Sequence, residues 1–361
     1  MGSKGKICIV VPTLGVGGME RVASLLMNHA NILAYDVHLV CLIGEEVGFC
    51  LNPTIVVHKP KFKYKKGLLG KLKVFLYLTK ILRSVRPDTV LSFSEVFNPL
   101  SIICARIAQV PIFISDRSNP YINHRSTIRV LRRLIYPLSR GMISQTNTAK
   151  NLAIQRKYNK NITVIPNPLR DVVDSPSIKK EKVVVSVGRL VPSKNFLSLI
   201  DIFLTADVSN SWELWILGEG PEREKIEEKI KMLKVSSRVK LKGSVENVDY
   251  FLSKSSIFAY ASVSEGFPNA LSEALASPLP CVAYDCPVGP SDLIINNVNG
   301  YLVPLHNDVG FVECLRRLMS DESERERFTM EYLKHRKRYH AENICKKYLD
   351  FILKYVKKTI R

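Results

Sequence analysis

Two carboxylates eight positions apart, Glu265 and Glu273, bracket the stretch of this chain best suited to chemistry. Between them Gly266 and Pro268 break regular structure on either side of Phe267, and Asn269 suits the cap of a helix whose first turn begins at Ala270. That layout brings together a loop carboxylate, unpaired N–H groups at a helix N-terminus and a carboxylate one turn inside the helix. Unpaired amides and the helix dipole favour an anion, phosphate above all. A carboxylate within reach accepts hydrogen bonds from sugar hydroxyls. The plain alternative is a strand–loop–helix connection with two solvated glutamates, and spacing alone favours it.

A pair of cations stands earlier in the chain. Val183–Val187 reads as a strand that opens into Gly188-Arg189-Leu190-Val191-Pro192-Ser193-Lys194-Asn195. A proline turn separates Arg189 from Lys194, so both can face one point at the end of the strand. A nucleotide diphosphate needs such a pair, because negative charge grows on it as it leaves. Two exposed basic residues in a loop are the alternative. Nearer the N-terminus, the strand Lys6–Pro12 runs into a loop holding Gly17, Gly18, Glu20 and Arg21, and a helix follows from about Val22 to Asn31. This is a phosphate-loop layout, although it has neither the G-x-G-x-x-G spacing nor a following G-K-S/T. Gly17 and Gly18 let the backbone approach a ligand closely.

The elements that must position these residues alternate along the chain. Further strands are expected at Val37–Ile43, Thr54–His58, Thr89–Ser94, Pro111–Ser115, Gly141–Gln145 and Thr163–Pro166, then at Trp212–Leu217, Val239–Lys242, Ser256–Ala261 and Pro280–Asp285. Helices fit most gaps, and Val309–Met319, Glu322–Tyr339 and Ala341–Val356 read as three more. Alternation of this kind predicts α/β architecture with parallel sheets covered on both faces, and ligands at the C-terminal strand ends. Two such ends carry Glu95 and the run Asp116-Arg117-Ser118-Asn119-Pro120. Acceptor binding and simple turn chemistry are balanced readings for both.

At 361 residues the chain suits two domains. Pro166-Asn167-Pro168 and the polar stretch Asp171–Lys182 divide it into residues 1–168 and 169–340. The N-terminus shows no signal-peptide pattern, and no apolar run reaches membrane-spanning length. The eight cysteines form no C-x-x-C pair, so reduced thiols in a cytosolic protein are expected, without a metal cluster.

Net charge is +20 and unevenly placed: residues 1–165 hold 24 Lys and Arg against 7 Asp and Glu. Lys59–Lys66 leads into the apolar, basic stretch Leu68–Val85. A second cluster, Arg125–Arg140, includes Arg129, Arg132 and Arg133. Basic amphipathic segments with Phe, Tyr and Leu suit an anionic membrane surface, and the three arginines could hold a lipid diphosphate. A solvated helix face is the alternative for either cluster alone. No zinc finger or RNP-like segment is present, so nucleic acid is not an expected partner.

Taken together, Gly17-Gly18-Met19-Glu20-Arg21, the Gly188–Asn195 segment and Glu265–Glu273 with its seven intervening residues resemble the G-G-x-E-R, G-R-L…K-N and E-x7-E signatures of retaining glycosyltransferases of family 4. The resemblance spans nearly the whole chain, with most signatures in residues 188–304. It implies a GT-B fold, two Rossmann-like domains facing across a cleft, with a last helix (about 341–361) packed back on the first. It implies a nucleotide-sugar donor, most simply a UDP-sugar, whose diphosphate is held by Arg189 and Lys194. Glu265 would meet the transferred sugar and Glu273 the ribose. Gly17, Gly18, Gly218, Val245, Gly266, Phe267, Asn269 and Ala270 would complete the donor site, with Val245 beside the uracil. Glu20, Arg21, Glu95, Asp116, Asn119 and the three arginines would face an acceptor, a lipid-linked saccharide. Some relatives carry a histidine where Arg117 stands; His124 is the nearest here, and no histidine catalyst is assigned. No cofactor or metal is expected, since no D-x-D run occurs. The expected location is the cytoplasmic face of the plasma membrane, as a peripheral protein. A soluble transferase for small sugars, a nucleotide-sugar epimerase and a non-catalytic binding module are the alternatives.

Overall fold

A computed structural model of the chain describes residues 3–15, 17–44, 48–121, 126–173 and 178–354. His124, Arg125, Pro176 and Val356 lie outside the described residues. The chain divides into two compact units, Met1–Pro168 with Ala341–Arg361, and Leu169–His340.

Unit 1 runs β1 (Lys6–Val11), α1 (Gly18–Ile32), β2 (Asp36–Cys41), β3 (Val56–His58), α2 (Leu68–Val85), β4 (Thr89–Phe93), α3 (Asn98–Ile107), β5 (Ile112–Ser115), α4 (Ser126–Ile135), β6 (Gly141–Ser144), α5 (Asn147–Gln155) and β7 (Ile162–Val164). Unit 2 runs β8 (Val183–Val187), α6 (Phe196–Ala206), β9 (Glu213–Leu217), α7 (Arg223–Met232), β10 (Val239–Gly243), α8 (Val248–Lys254), β11 (Ile257–Tyr260), α9 (Asn269–Leu275), β12 (Cys281–Asp285), α10 (Pro290–Leu293), β13 (Gly300–Pro304), α11 (Asp308–Ser320), α12 (Glu322–Thr329) and α13 (Tyr332–Tyr339). The last helix, α14 (Ala341–Leu353), belongs to unit 1.

Among the described residues each unit holds one parallel sheet, in the orders β3-β2-β1-β4-β5-β6-β7 and β10-β9-β8-β11-β12-β13. Both faces of each sheet are covered, so alternate side chains enter different cores. Ile7, Ile9 and Val11 of β1 pack with Val22 and Leu26 of α1 and with Ile344, Tyr348 and Ile352 of α14. Cys8 and Val10 turn the other way, toward Val74, Leu78 and Leu82 of α2. Each fully buried Leu, Ile or Val of this kind stabilises the unit by roughly 1.5–3 kcal/mol relative to exposure. Local sequence also sets helix starts: Thr146, Asn247, Asn307 and Asp321 each accept a hydrogen bond from a backbone N–H three residues on.

Two expectations change. Asn269 is the first residue of α9 rather than its cap; Pro268 precedes the helix, and its carbonyl accepts the Ser272 N–H at 3.0 Å. Glu322–Tyr339 is two helices. The break lets Phe328 of α12 pack on Tyr301 of β13 while His335 of α13 reaches Ser272 of α9.

In both sheets the strand order reverses beside the first strand, between β1 and β4 and between β8 and β11. Loops at the C-terminal strand ends diverge there and leave a crevice. The Gly17-Gly18 loop and Glu95 flank the first switch point. Lys194 and Glu265 flank the second.

Candidate functional site

In unit 2 the loop after β8 and the loop after β11 are fastened together. Val263 N–H donates to the Ser193 carbonyl at 2.8 Å, and Ser262 Oγ lies 2.9 Å from the same oxygen. The Lys194 stem crosses Gly188, where a Cβ would lie 3.4 Å from its methylenes. Its Nζ reaches Glu265 Oε1 at 2.5 Å and the Tyr260 hydroxyl at 2.9 Å. Tyr260 donates to the same Glu265 oxygen at 2.7 Å, as does Ser262. Three donors therefore converge on Oε1. Among the described residues Oε2 has no partner, and it is not sealed from solvent. Burial pushes the Tyr260 phenol well above its ordinary range, and the Glu265 carboxylate pushes it the same way. Tyr260 thus stays a neutral donor.

Arg189 lies exposed at the end of β8, with no carboxylate partner among the described residues. Lys194 is committed to Glu265, so the two cations do not form an isolated pair. Gly218 is required where it stands: its φ is +138°, and a Cβ would collide with the Gly188 carbonyl. Its N–H donates to the Gly243 carbonyl at 2.7 Å, which joins the ends of β9 and β10. Val245 packs against the core on the α9 side of the sheet, as does Ala270. Phe267 is buried, with its ring against Tyr339. Gly266 and Asn269 follow Glu265 into α9.

Glu273 does not meet Glu265's partners. Its Oε2 accepts from Arg170 Nε at 3.1 Å, and Arg170 in turn grips Asp249 with both Nη groups at 2.7 and 2.6 Å. Burial alone would lower the Arg170 guanidinium, but the hydrogen bond to Asp249 and the Glu273 charge raise it on balance. Sequence reasoning missed Arg170 and Asp249, which lie 103 and 24 positions from Glu273 with no local pattern to link them. Ser262 was findable, since Ser-x-x-Glu is a local spacing.

In unit 1 Gly17 precedes α1, and the Glu20 carboxylate folds back so closely that a Cβ at Gly17 would strike it. Arg21 is half-buried on the same helix. Ser94, at the end of β4, holds φ +156°, a strained value for a residue with a side chain, immediately before the half-buried Glu95. Asn119 accepts the Tyr121 N–H at 2.8 Å, which is turn chemistry.

Asp116 and Arg132 depart from the expectation. Asp116 Oδ1 accepts from Asn98 at 3.0 Å and from Tyr136 at 2.9 Å, and Oδ2 pairs with Arg132. Arg132 is buried and Asp116 mostly so, and the Arg132 guanidinium lies over the Tyr136 and Tyr158 rings at 5.0 and 4.8 Å. Burial raises the Asp116 carboxyl and Glu95 adds to this, while Arg132 opposes it. The pair is internal, so Arg132 does not stand beside Arg129 and Arg133 for a diphosphate. Those two remain exposed and line an open cavity of about 230 Å³ with Arg156, Val130 and Tyr158. Arg117, also missed, is half-buried and donates to Asn167 and the Tyr348 hydroxyl, 4.8 Å over the Phe93 ring. Among the described residues no helix is long and apolar enough to cross a membrane.

Comparison with known proteins divides the chain much as the structure does. The family described as Glycosyltransferase Family 4 matches residues 16–171, and Glycosyl transferases group 1 matches residues 170–334. The amylovoran biosynthesis glycosyltransferase AmsD of Erwinia amylovora is 28% identical over 93% of this chain and 96% of its own. A Campylobacter jejuni protein named GalNAc-alpha-(1->4)-GalNAc-alpha-(1->3)-diNAcBac-PP-undecaprenol alpha-1,4-N-acetyl-D-galactosaminyltransferase is 27% identical over 96% of this chain and 98% of its own. Among solved structures, Anabaena HepE in complex with UDP superposes with a TM-score of 0.80 at 18% identity, covering 96% of this chain and 98% of that one.

Proposed function

Since the chain belongs to the glycosyltransferases of GT-B fold, we propose that it transfers a hexosyl or N-acetylhexosaminyl group from a UDP-sugar to a lipid-linked saccharide, with retention of anomeric configuration. The observation that carries this reading is Glu265: one oxygen is fixed by Lys194, Tyr260 and Ser262, and the other stands open at a switch point. A carboxylate held so can accept from a sugar hydroxyl without losing its orientation.

Lys194 has three N–H donors, of which Glu265 and Tyr260 take two. The third, with the exposed Arg189, would meet the diphosphate. Glu273 would meet the ribose. In the step itself the bond from the anomeric carbon to the phosphate oxygen breaks, and the acceptor hydroxyl attacks from the same face. Its proton passes to the departing phosphate, so no protein base is required. The cations stabilise the charge that grows on that phosphate. The nucleotide sugar is a substrate, and the reading calls for no resident cofactor. UDP is supported by the HepE complex, and a diphosphate-linked lipid by the name of the Campylobacter relative.

Arg129, Arg133 and Arg156 around one open cavity suit the acceptor diphosphate. The exposed Leu68, Leu69, Leu72 and Leu76 of α2 stand among lysines, as does the apolar side of α4 among arginines. Both support peripheral contact with an anionic membrane, at its cytoplasmic face. UDP release measured across UDP-sugars with a lipid-linked acceptor pool tests the activity. Unchanged turnover in Arg189→Ala would remove the diphosphate assignment. Transfer to free sugars but never to the lipid pool would reassign the acceptor.

A further inference from the structure

Arg170 stands at the start of unit 2, where nothing in the neighbouring sequence marks it. Its guanidinium nonetheless joins two elements distant in the chain. Asp249, in the first turn of α8, takes both Nη groups, and Glu273, in the seven-residue α9, takes Nε. Asp249 is fixed a second time by the Val173 N–H at 3.2 Å. We propose that Arg170 is a positioning residue for Glu273: oriented by Asp249, it holds the glutamate in the one rotamer from which it addresses the ribose of the donor. The inference rests on the donor-site reading above.

The shape of the guanidinium makes this possible. It is planar, with its donors in a rigid fork. A carboxylate bonded to both Nη groups fixes the plane and its rotation, so the direction of Nε is no longer adjustable. Glu273 has three side-chain torsions and would otherwise have several rotamers to choose among. It is also mostly buried, and a buried carboxylate without a cation is costly. A lysine at position 170 would supply the charge but could not grip Asp249 and aim a separate donor at Glu273. Position and charge are therefore separable by substitution.

A brace that merely holds the start of unit 2 onto α8 and α9 is the competing role. The two are distinguished by a probe that senses ribose alone. Dissociation constants for UDP and for 2′,3′-dideoxy-UDP are measured on the full chain, for wild type, Arg170→Lys, Asp249→Asn and Glu273→Gln, with the melting temperature of each. Wild type should favour UDP by about tenfold, the worth of one charge-assisted hydrogen bond. Arg170→Lys and Asp249→Asn should lose most of that preference with little change toward the dideoxy compound. Arg170→Lys combined with Glu273→Gln should lose no more than Glu273→Gln alone. If Glu273→Gln loses the preference while Arg170→Lys and Asp249→Asn keep it, even with lowered melting temperatures, the positioning role is overturned and the ribose reading stands. If Glu273→Gln keeps the preference, the ribose reading falls and the inference with it. Asp249→Asn keeps the size of the side chain, so the question stays answerable if Arg170→Lys folds poorly.

Discussion

In unit 1 Asp116 has both carboxylate oxygens bonded inside the protein, to Asn98 and Tyr136 on one and to Arg132 on the other. In unit 2 Glu265 is equally withdrawn from solvent, yet its three donors crowd onto Oε1 and leave Oε2 open. Both residues follow a strand of a parallel sheet, and both pair with a cation. The difference lies in what remains after the internal bonds are made. A carboxylate with both oxygens engaged internally has less left to offer a ligand, and its partners are there because an unpaired buried charge is costly. A carboxylate fixed through one oxygen has a defined direction and an unused acceptor. In the proposed function Asp116 thus serves stability and Glu265 the substrate.

The sharpest break of this comparison is Asp116→Ala. It leaves Arg132 buried without its anion and should lower stability by about 3–5 kcal/mol in denaturant unfolding. The protein that remains folded should still hydrolyse or transfer donor. Full stability with lost turnover would reverse the assignment.

Unit 2 has its own buried group that serves structure. Burial, and to a lesser degree the Arg338 charge, lower His335 to about 4. The unfolded chain takes up a proton as pH falls through about 6.5, whereas the folded chain resists until about 4. Stability present above 6.5 is therefore lost as pH falls across that window, by on the order of 3 kcal/mol. His335→Gln should flatten the pH dependence of the melting temperature, and a slope left unchanged would show that His335 does not set it.

Glu265→Gln should lower kcat by about a hundredfold, in the range found for single groups acting on developing charge, with a melting temperature near that of wild type. The smallest effect is expected at the exposed arginines. Arg129→Ala with Arg133→Ala should weaken binding to anionic vesicles by about thirtyfold at low salt, since each basic residue near the surface is worth about 1 kcal/mol. Co-sedimentation at increasing salt measures it, and equal binding by both proteins would move the membrane contact elsewhere, α2 being the next surface to test.

Much of this was legible beforehand where chemistry and spacing coincide locally. Alternating elements pointed to two parallel sheets, because short apolar runs and helix caps are local facts. Glu265, Arg189 and Lys194 stood out because each sits in a turn directly after a strand, and strand ends are where parallel sheets place ligands. The helix start at Asn269 was misread by one residue, since Pro268 and Asn269 are both plausible there and only the backbone path chooses.

Arg132 shows what could not be read. In the sequence it stands with Arg129 and Arg133 as one basic cluster, and all three carry the same charge. Helical geometry turns Arg132 inward to Asp116 and leaves its neighbours exposed, with Arg156 from α5's end beside them. Arg170, Asp249 and Glu273 make the same point across a longer stretch of chain. Sequence alone determined which residues carry charge and which loops follow which strands, because those depend on side-chain type and near neighbours. Which carboxylate is saturated, which is open and which cation serves each was decided by the folded chain. Those outcomes depend on how many donors fit around one oxygen once distant segments meet.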